Sequence, residues 1–404
     1  MKAGWQSKSL AEILLKTETV NPLLKPEVEF EYIDVSSVSN QTFQIEETQQ
    51  LKGKVAPSRA RKLVKTNDIL FATIRPTLQR IAIVPAELNN QVCSTGYFVL
   101  RPNQNVHFKY LYFYLFSDYF MGQMEALQKG ASYPAVTDNE VKSQTINVPP
   151  IQEQQRIVSI LDKAFEQIAI ARANTEKNLQ NARALFESHL QRVFTQRGDG
   201  WKEVAFDELI ESNVIGLTKS SREQGANKAY PYVKMNNITR DNRFDFSSFT
   251  CVDATKEETK KFLLRDGDFL FNTRNSYELV GKSCIYESGR DSVNPVLFNN
   301  NIMRIRFKDN VDATFILLAF ACKDVADEIN ALKSGTTNVS AIYFKDLKSL
   351  KIPTPSIQEQ KKVATESKLL SQETQHLESL YQRKLTMLDE LKKSLLHKAF
   401  AGEL

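Results

Sequence analysis

Apolar and small residues recur in two stretches of the chain at alternating steps of four and three. The first runs Ile157, Leu161, Ala164, Ile168, Ala171, Thr175, Asn178, Ala182, Leu185; the second runs Val363, Ser367, Leu370, Thr374, Leu377, Tyr381, Lys384, Leu388, Leu391. Such spacing keeps one seam turned toward a partner and predicts two long coiled-coil helices. Both open on the same tetrapeptide, Ile151-Gln152-Glu153-Gln154 and Ile357-Gln358-Glu359-Gln360, an offset of 206 from position 151 to 357. Prolines precede each copy (Pro149-Pro150; Pro353 and Pro355), and no proline or glycine follows until Gly198 and Gly402. Glu153 and Glu359 fall in a first helical turn, where negative charge suits the helix dipole, and the flanking glutamines are expected to face a partner subunit. Because the helices belong to equivalent parts of one chain, the expected pairing is with each other, antiparallel, about a pseudo-twofold axis.

A period of two predicts strands, and these are also duplicated. Tyr32 to Val38 overlies Tyr232 to Ile238, and Leu63, Val64, Asp68, Leu70, Phe71 and Thr73 match Leu263, Leu264, Asp268, Leu270, Phe271 and Thr273. Asn67-Asp68 and Gly267-Asp268 read as turns into strands that end at Arg75 and Arg274. Ser94 to Arg101 overlies Asn299 to Arg306 as another strand. Tyr110 to Leu127 and Phe315 to Leu332 read as buried helices stopped by Gly130 and Gly335. Polar loops then lead into short strands at Val141 to Val148 and Leu347 to Pro353. Gly4-Trp5 and Gly200-Trp201 open the two copies, each before a short amphipathic helix, and these tryptophans are expected to anchor the cores. The fold class is therefore α+β: two repeated α/β domains separated by two long helices that form an antiparallel coiled coil. The expected boundaries are 1–150 and 199–356 for the domains, 151–198 and 357–404 for the helices.

Composition adds exclusions. At 404 residues, 42% hydrophobic and 25% charged, the chain resembles ordinary globular proteins. Its cysteines (93, 251, 284, 322) and histidines (107, 189, 376, 397) have no metal-ligand spacing, which argues against a zinc site and for reduced thiols. The most apolar windows are too short to span a bilayer, so the expectation is a cytoplasmic protein with no membrane partner. Gly281-Lys282-Ser283 resembles the tail of a phosphate-binding loop, but Ser276 stands where that motif requires glycine. Glu258-Thr259-Lys260 lacks the proline-aspartate pair of a metal-dependent nuclease. Asn147-Val148-Pro149-Pro150 departs from the amino-methyltransferase motif at its first proline and its aromatic. No glycine-rich nucleotide turn appears, so the chain reads as non-catalytic, without cofactor or metal.

Net charge is only +5, so bulk charge does not announce nucleic acid. Its distribution is more suggestive. Between Thr48 and Asn67 stand Lys52, Lys54, Arg59, Arg61, Lys62 and Lys65 with no acidic residue, and Arg75 and Arg80 follow. A solvated face is the plain reading of such a run, a nucleic-acid surface the functional one.

The tetrapeptides after prolines, the gapless helices and the closing Leu395 to Leu404 make the sequence similar to the specificity subunits of type I restriction-modification systems, over essentially the whole chain. Pro355-Ser356 stands where the family often has two prolines. The resemblance implies two target-recognition domains, each reading half of a bipartite site on double-stranded DNA. It implies helices that set the spacer and dock two methyltransferase subunits, which carry S-adenosylmethionine and methylate adenine. Restriction subunits that use ATP would join the same assembly, and this chain would supply no chemistry. A helix of about 45 residues is about 68 Å long, against about 34 Å for a DNA turn, long enough to separate two reading heads. With DNA as the ligand, Lys52, Lys54, Arg59, Arg61, Lys62 and Lys65 are candidates for phosphate, with Arg75 near the groove. Lys234, Asn236, Asn237, Arg240, Asn272, Arg274 and Asn275 combine phosphate and base chemistry in the second domain. Arg61 and Lys62 are expected to contribute to binding of every sequence and to its salt dependence. A self-sufficient DNA-modifying enzyme and a purely structural coiled-coil adaptor remain the alternatives.

Overall fold

The computed structural model describes residues 4–245, 247–288 and 295–404. They form two compact units: Met1–Glu176 with Gln382–Leu404, and Lys177–Tyr381. Each unit thus owns one end of both long helices, Ile151–Thr195 and Ile357–Ala401, which are 45 residues each.

The centre of the first unit is the strand Ile69–Ala72, paired antiparallel with Ile81–Ile83 and Tyr97–Leu100. It is buried on both sides, which explains why it reads as an unbroken apolar run. Ile69 and Phe71 face a core shared with Leu10, Ile13, Tyr110, Phe120, Ile157 and Leu161. Leu70 and Ala72 face a second core of Ile33, Val38, Val84, Cys93 and Val99. A four-stranded sheet, in the order Gln49–Lys52, Glu29–Ile33, Val92–Ser94, Ala60–Leu63, carries the outer part of the unit. The second unit repeats the scheme around Phe269–Asn272, paired with Ser283–Ile285 and Ile302–Phe307. Phe269 and Phe271 face one core, Leu270 the other. Trp5 is buried in its core, and Trp201 packs edge-on to Phe194 and beside Phe315.

Several expected elements are shorter than their patterns. The strands through Tyr32 and Tyr232 stop at Ile33 and Val233 and give way to 3-10 turns, Val35–Ser37 and Met235–Asn237, in which the Ser37 hydroxyl and Asn237 Oδ1 accept from the N–H groups of Asp34 and Lys234. The stretch from Ser94 is broken by a turn into Val92–Ser94 and Tyr97–Leu100. Each expected buried helix is two, Phe108–Tyr114 with Asp118–Leu127 and Ala313–Ala321 with Lys323–Ala331. In the first pair the Ser117 hydroxyl accepts from Phe120 N–H and starts a new helix, a role serine fills better than it fills a helix interior. The stretches from Val141 and Leu347 begin as the ends of short helices and become strands only at Thr145–Val148 and Lys351–Thr354.

The long helices pair antiparallel within each unit. In the first, Arg172 Nη2 reaches Asp389 at 2.5 Å and Arg156 Nη2 reaches the Leu404 carbonyl at 2.6 Å. In the second, Arg183 reaches Glu378 at 3.1 Å and His189 meets Ser367 at 3.0 Å. The inner face of the first helix is Leu161, Phe165, Ile168, Arg172, Thr175, Leu179, Ala182, Phe186 and His189. That of the second is Ser367, Ser371, Thr374, Glu378, Tyr381, Leu385, Leu388, Lys392 and Leu395. Both are strict heptads. The spacing-based seam is right at its first members, Ile157 and Val363, which are buried; beyond them it alternates between members that are right and members one residue early, among which Asn178, Leu185, Lys384 and Leu391 are exposed. The inner residues at these places are mixed, with polar Arg172, Glu378 and Lys392 alongside apolar Phe165, Leu179, Phe186 and Leu385. Lys392 is accommodated by three rings, Phe43, Phe116 and Phe165, at 4.9, 5.8 and 5.4 Å.

The last glutamine of each tetrapeptide is buried and does not face a partner subunit. Gln154 Nε2 donates to the carbonyls of Pro149 (2.8 Å) and Asn105 (3.0 Å), while its Oε1 accepts from His107 N–H (2.8 Å). Gln360 repeats this with Pro355 (2.9 Å), Asn310 (3.2 Å) and Asp312 N–H (2.9 Å). One carboxamide thereby bolts the loop before a domain helix onto the start of a long helix. Of the four glutamines, Gln152 and Gln358 are the exposed ones. Gln154→Leu and Gln360→Leu leave three buried backbone groups unpaired, and each is expected to cost about 1–3 kcal/mol. A urea midpoint unmoved in both would refute the bolt.

Candidate nucleic-acid interface

The run from Thr48 to Asn67 is free of acids in sequence but not in space. Lys52 Nζ lies 4.0 Å from Glu27 and 3.9 Å from Glu29, Lys54 lies 3.4 Å from Glu27, and Lys65 lies 2.8 Å from Glu18. These exposed pairs are worth about 0–1 kcal/mol each and exchange readily for another anion. Lys62 differs: its Nζ donates to the Tyr97 carbonyl (2.6 Å) and to Asp138 (3.0 Å), with 20% of its side chain exposed. That ammonium joins the strand Ala60–Leu63 to the helix Asp138–Lys142. Arg61 is half-buried and donates to the carbonyl of Ala60. Arg59 is exposed and makes no ion pair among the described residues. Arg80 donates to the carbonyls of Val38 (2.6 Å) and Ser36 (3.2 Å) and so staples the turn after Ile33.

Arg75 leaves the central strand in the left-handed region, φ 50° and ψ 58°. Its N–H donates to the Pro134 carbonyl (2.6 Å), its Nη2 to the Ser132 carbonyl (3.1 Å), and its guanidinium lies 4.8 Å from the Tyr133 ring centroid. Tyr133 is 70% exposed.

In the second unit several candidate carboxamides are spent on the backbone. Asn237 is buried; its Nδ2 donates to the carbonyls of Asp245 (3.0 Å) and Ser248 (2.8 Å), and its Oδ1 accepts from Lys234 N–H (2.9 Å). Asn272, also buried, donates to the carbonyls of Arg274 (3.1 Å) and Asn301 (2.9 Å) and accepts from Asn275 Nδ2 (2.9 Å). Asn275 Oδ1 accepts from Ser276 N–H at 2.9 Å. Lys234 Nζ donates to Gln224 at 3.2 Å. Asn236, Arg240 and Arg274 are exposed. The structure therefore gathers Asn272, Arg274 and Asn275 into one network and Lys234 with Asn237 into another, while Asn236 and Arg240 stand outside both.

The motifs discounted earlier have structural duties. Lys282 donates to the carbonyls of Met235 (3.0 Å) and Ile238, the staple that Arg80 supplies in the first unit, and burial pushes its ammonium below the ordinary value. Glu258 closes a capping box with Thr255 and pairs with Lys219 at 3.3 Å. Among the described residues no group of three or more His, Cys, Asp or Glu could hold a metal ion, and no helix is long and apolar enough to cross a membrane.

Sequence reasoning missed Tyr133, Tyr277 and Lys333. Lys333 Nζ donates to the Tyr277 carbonyl (2.8 Å) and sits 4.9 Å from that ring's centroid; Tyr277 is 48% exposed. The available signal for Tyr133 and Lys333 was the matched pair Gly130 and Gly335, beside which they lie; Tyr277 follows the strand-end Arg274.

The family described as type I restriction modification DNA specificity domain matches residues 2–181 and 198–380. The chain is similar to the specificity subunit of the type I restriction enzyme EcoKI of Escherichia coli K12, 23% identical over 326 residues, covering 77% of this chain and 69% of that one. It is also similar to the HindI specificity subunit of Haemophilus influenzae, 32% identical over 162 residues, 39% of this chain and 34% of that one. Among solved structures, one from work on complex assembly and conformational transition of the type I R-M system superposes with TM-score 0.83 at 27% identity, covering 100% of this chain and 99% of that one. The HsdS subunit of Thermoanaerobacter tengcongensis gives TM-score 0.70 at 27% identity, covering 100% and 98%.

Proposed function

The chain belongs to the type I restriction-modification DNA specificity family, and from that premise we propose that each compact unit reads one half of a split, asymmetric site on double-stranded DNA. Membership makes it a non-catalytic specificity subunit and sets aside the self-sufficient enzyme and the plain adaptor. One observation carries the two-headed reading. The units share a framework down to the ion pairs Asp68–Arg101 and Asp268–Arg306, yet differ at the exposed residues where their central strands end. A common scaffold with divergent tips is what two different half-sites require.

In this reading Arg59, Lys52, Lys54 and Lys65 take phosphates in the first unit. Arg240 and Arg274 do so in the second, with Asn236 free to reach a base edge. Lys62, Asn237, Asn272 and Asn275 support these positions from behind. Arg59→Ala is therefore expected to weaken binding to all sequences alike and to reduce the slope of log K against log salt by about 0.9; an unchanged slope removes Arg59 from the interface.

The long helices would set the distance between half-sites and dock two methyltransferase subunits, with ATP-using restriction subunits completing the assembly. In the second unit the outer face of the second helix exposes Leu369, Leu377 and Leu380 beside Glu373 and His376, an apolar strip suited to a protein partner. Leu377→Asp with Leu380→Asp should abolish co-purification of the methyltransferase subunit without moving the unfolding midpoint. Retention of the partner would send the docking surface elsewhere. The decisive experiment is co-expression with that subunit and mapping of methyladenine across host DNA. Two different short motifs at a fixed separation are expected, and a single uninterrupted motif would overturn the two-headed reading.

A further inference from the structure

In each unit the segment leaving the central strand is fastened to the loop that follows the domain helices. In the first, Ile74 and Lys129 both bridge to Ala135, and Arg75 N–H bonds Pro134. In the second, Arg274–Asn275 pairs with Ser340–Ala341, which pairs with Ser334–Gly335, and Tyr277 N–H bonds the Thr337 carbonyl (3.1 Å). The loop turns on a glycine in both cases. Gly335 has φ +122°, and a Cβ there would stand 2.4 Å from the Val339 carbonyl oxygen. These tips are built on hydrogen-bonded backbone, not on free chain.

Each fastening carries one exposed tyrosine against one cation, with the origins exchanged. In the first unit the tyrosine (133) comes from the loop and the cation (Arg75) from the strand end. In the second the tyrosine (277) comes from the strand end and the cation (Lys333) from the loop. The separations, 4.8 and 4.9 Å, are alike. A ring left so exposed is poorly used by the fold itself. Arg75 is also held in a left-handed conformation that an L side chain seldom adopts, and such residues concentrate where function demands them. The Ser132 carbonyl takes one N–H of its guanidinium, so the planar fork is oriented while its remaining donors stay open. Tyrosine and arginine are the residue types that dominate binding energy at interfaces.

Resting on the two-headed reading above, we propose that these cation–tyrosine pairs are the specificity-determining contacts of the two units, and that the Arg75 fork, steadied by Tyr133, reads a guanine in the first half-site. A guanidinium matches the O6 and N7 acceptors of guanine in the major groove, which no other base presents together. Lys333 offers a point charge from a different position, so the second half-site is read differently.

The test is selection from randomised duplexes by the full chain co-expressed with its methyltransferase subunit, comparing wild type with Arg75→Gly, Tyr133→Ala and Tyr277→Ala. Glycine accepts the left-handed backbone, so Arg75→Gly removes the fork without disturbing the turn, and melting temperatures check folding. Arg75→Gly should lose a guanine preference of about 5- to 140-fold at one position of the first half-site, with the second half-site intact. Tyr133→Ala should weaken the same position, and Tyr277→Ala should change the second half-site alone. A wild-type site in all three variants overturns the inference and leaves the two-headed reading standing. A wild-type complex that selects no split site overturns both.

Discussion

Asp268→Ala is expected to destabilise the second unit by about 3–5 kcal/mol, the cost of breaking an ion pair whose carboxylate is buried and whose guanidinium keeps 23% of its side chain exposed. Asp268 is 3% exposed and holds Arg306 through two parallel bonds, Nε to Oδ1 at 2.6 Å and Nη2 to Oδ2 at 3.0 Å. It also accepts from the Arg265 N–H (2.8 Å) and so closes the turn that feeds the central strand. Beside it Arg304 is buried, and burial together with the Arg306 charge pushes its guanidinium below the ordinary value. Removing the carboxylate leaves two neighbouring cations whose remaining hydrogen bonds go to the carbonyls of Leu263 and Lys261. A loss of that size is a large fraction of the stability of a typical domain.

Asp68→Ala should cost less, toward the lower end of the same range, because Arg101 keeps Glu18 at 2.6 Å. The two tryptophans report the units separately, since Trp5 lies in the first and Trp201 in the second. Urea titrations of Trp5→Phe and Trp201→Phe backgrounds should therefore show each aspartate acting on its own unit. Equal midpoints for Asp268→Ala and its parent would refute the account. Glu18 adds a pH signature. Its hydrogen bonds to Lys65 and Arg101 hold its carboxyl down to about 2, against about 4.3 in an unfolded chain. Its contribution is present above about pH 4.3 and disappears as pH falls toward 2. Glu18→Gln should flatten the acid limb of the first unit's stability curve.

The duplication made the framework legible. Matched turns at Asn67 and Gly267 both take positive φ, and matched strands become the doubly buried centres of their units. What the pattern hid has a common cause: polar side chains doing interior work. Arg172, Glu378 and Lys392 occupy the helix seam beside its apolar members. Ser117 divides what looks like one helix. Gln154 and Gln360, read as surface residues, are the most deeply engaged members of their tetrapeptides.

The same cause limits a sequence reading of the interface. Asparagine suits a base edge and a capped turn equally well, so Asn237 and Asn272 could not be told from Asn236 until their partners were visible. Lysines count as a patch only if no acid folds against them, and Glu18, Glu27 and Glu29 come from strands and loops well before the run in sequence. Tyr133 and Tyr277 carry no signal in periodicity at all, because they belong to tips whose geometry comes from glycines and backbone bonds.

Lengthening both long helices by one heptad, after Lys177 and after Arg383, is expected to increase the unread spacer by about three base pairs and to lower affinity for the best site. Both points lie between the pairs Arg172–Asp389 and Arg183–Glu378, so the antiparallel register survives. Seven residues preserve the strict heptad, whereas a single helical turn would rotate Arg172, Glu378 and Lys392 out of the seam. A heptad adds about 10 Å, and DNA advances about 3.4 Å per base pair. The rotations do not match, however. Three base pairs turn the duplex by about 100° at 10–10.5 base pairs per turn, while 10 Å of a coiled coil of about 150 Å pitch turns by only about 25°. One heptad should therefore shift the site and weaken it together. Three heptads add about 32 Å, close to one DNA turn of about 34 Å, and should recover much of the affinity at a spacer longer by nine or ten base pairs, a count that follows from the same rise. Methyladenine mapping of the three proteins measures this directly. If the preferred spacer stays constant across the series, the helices dock partners without setting distance.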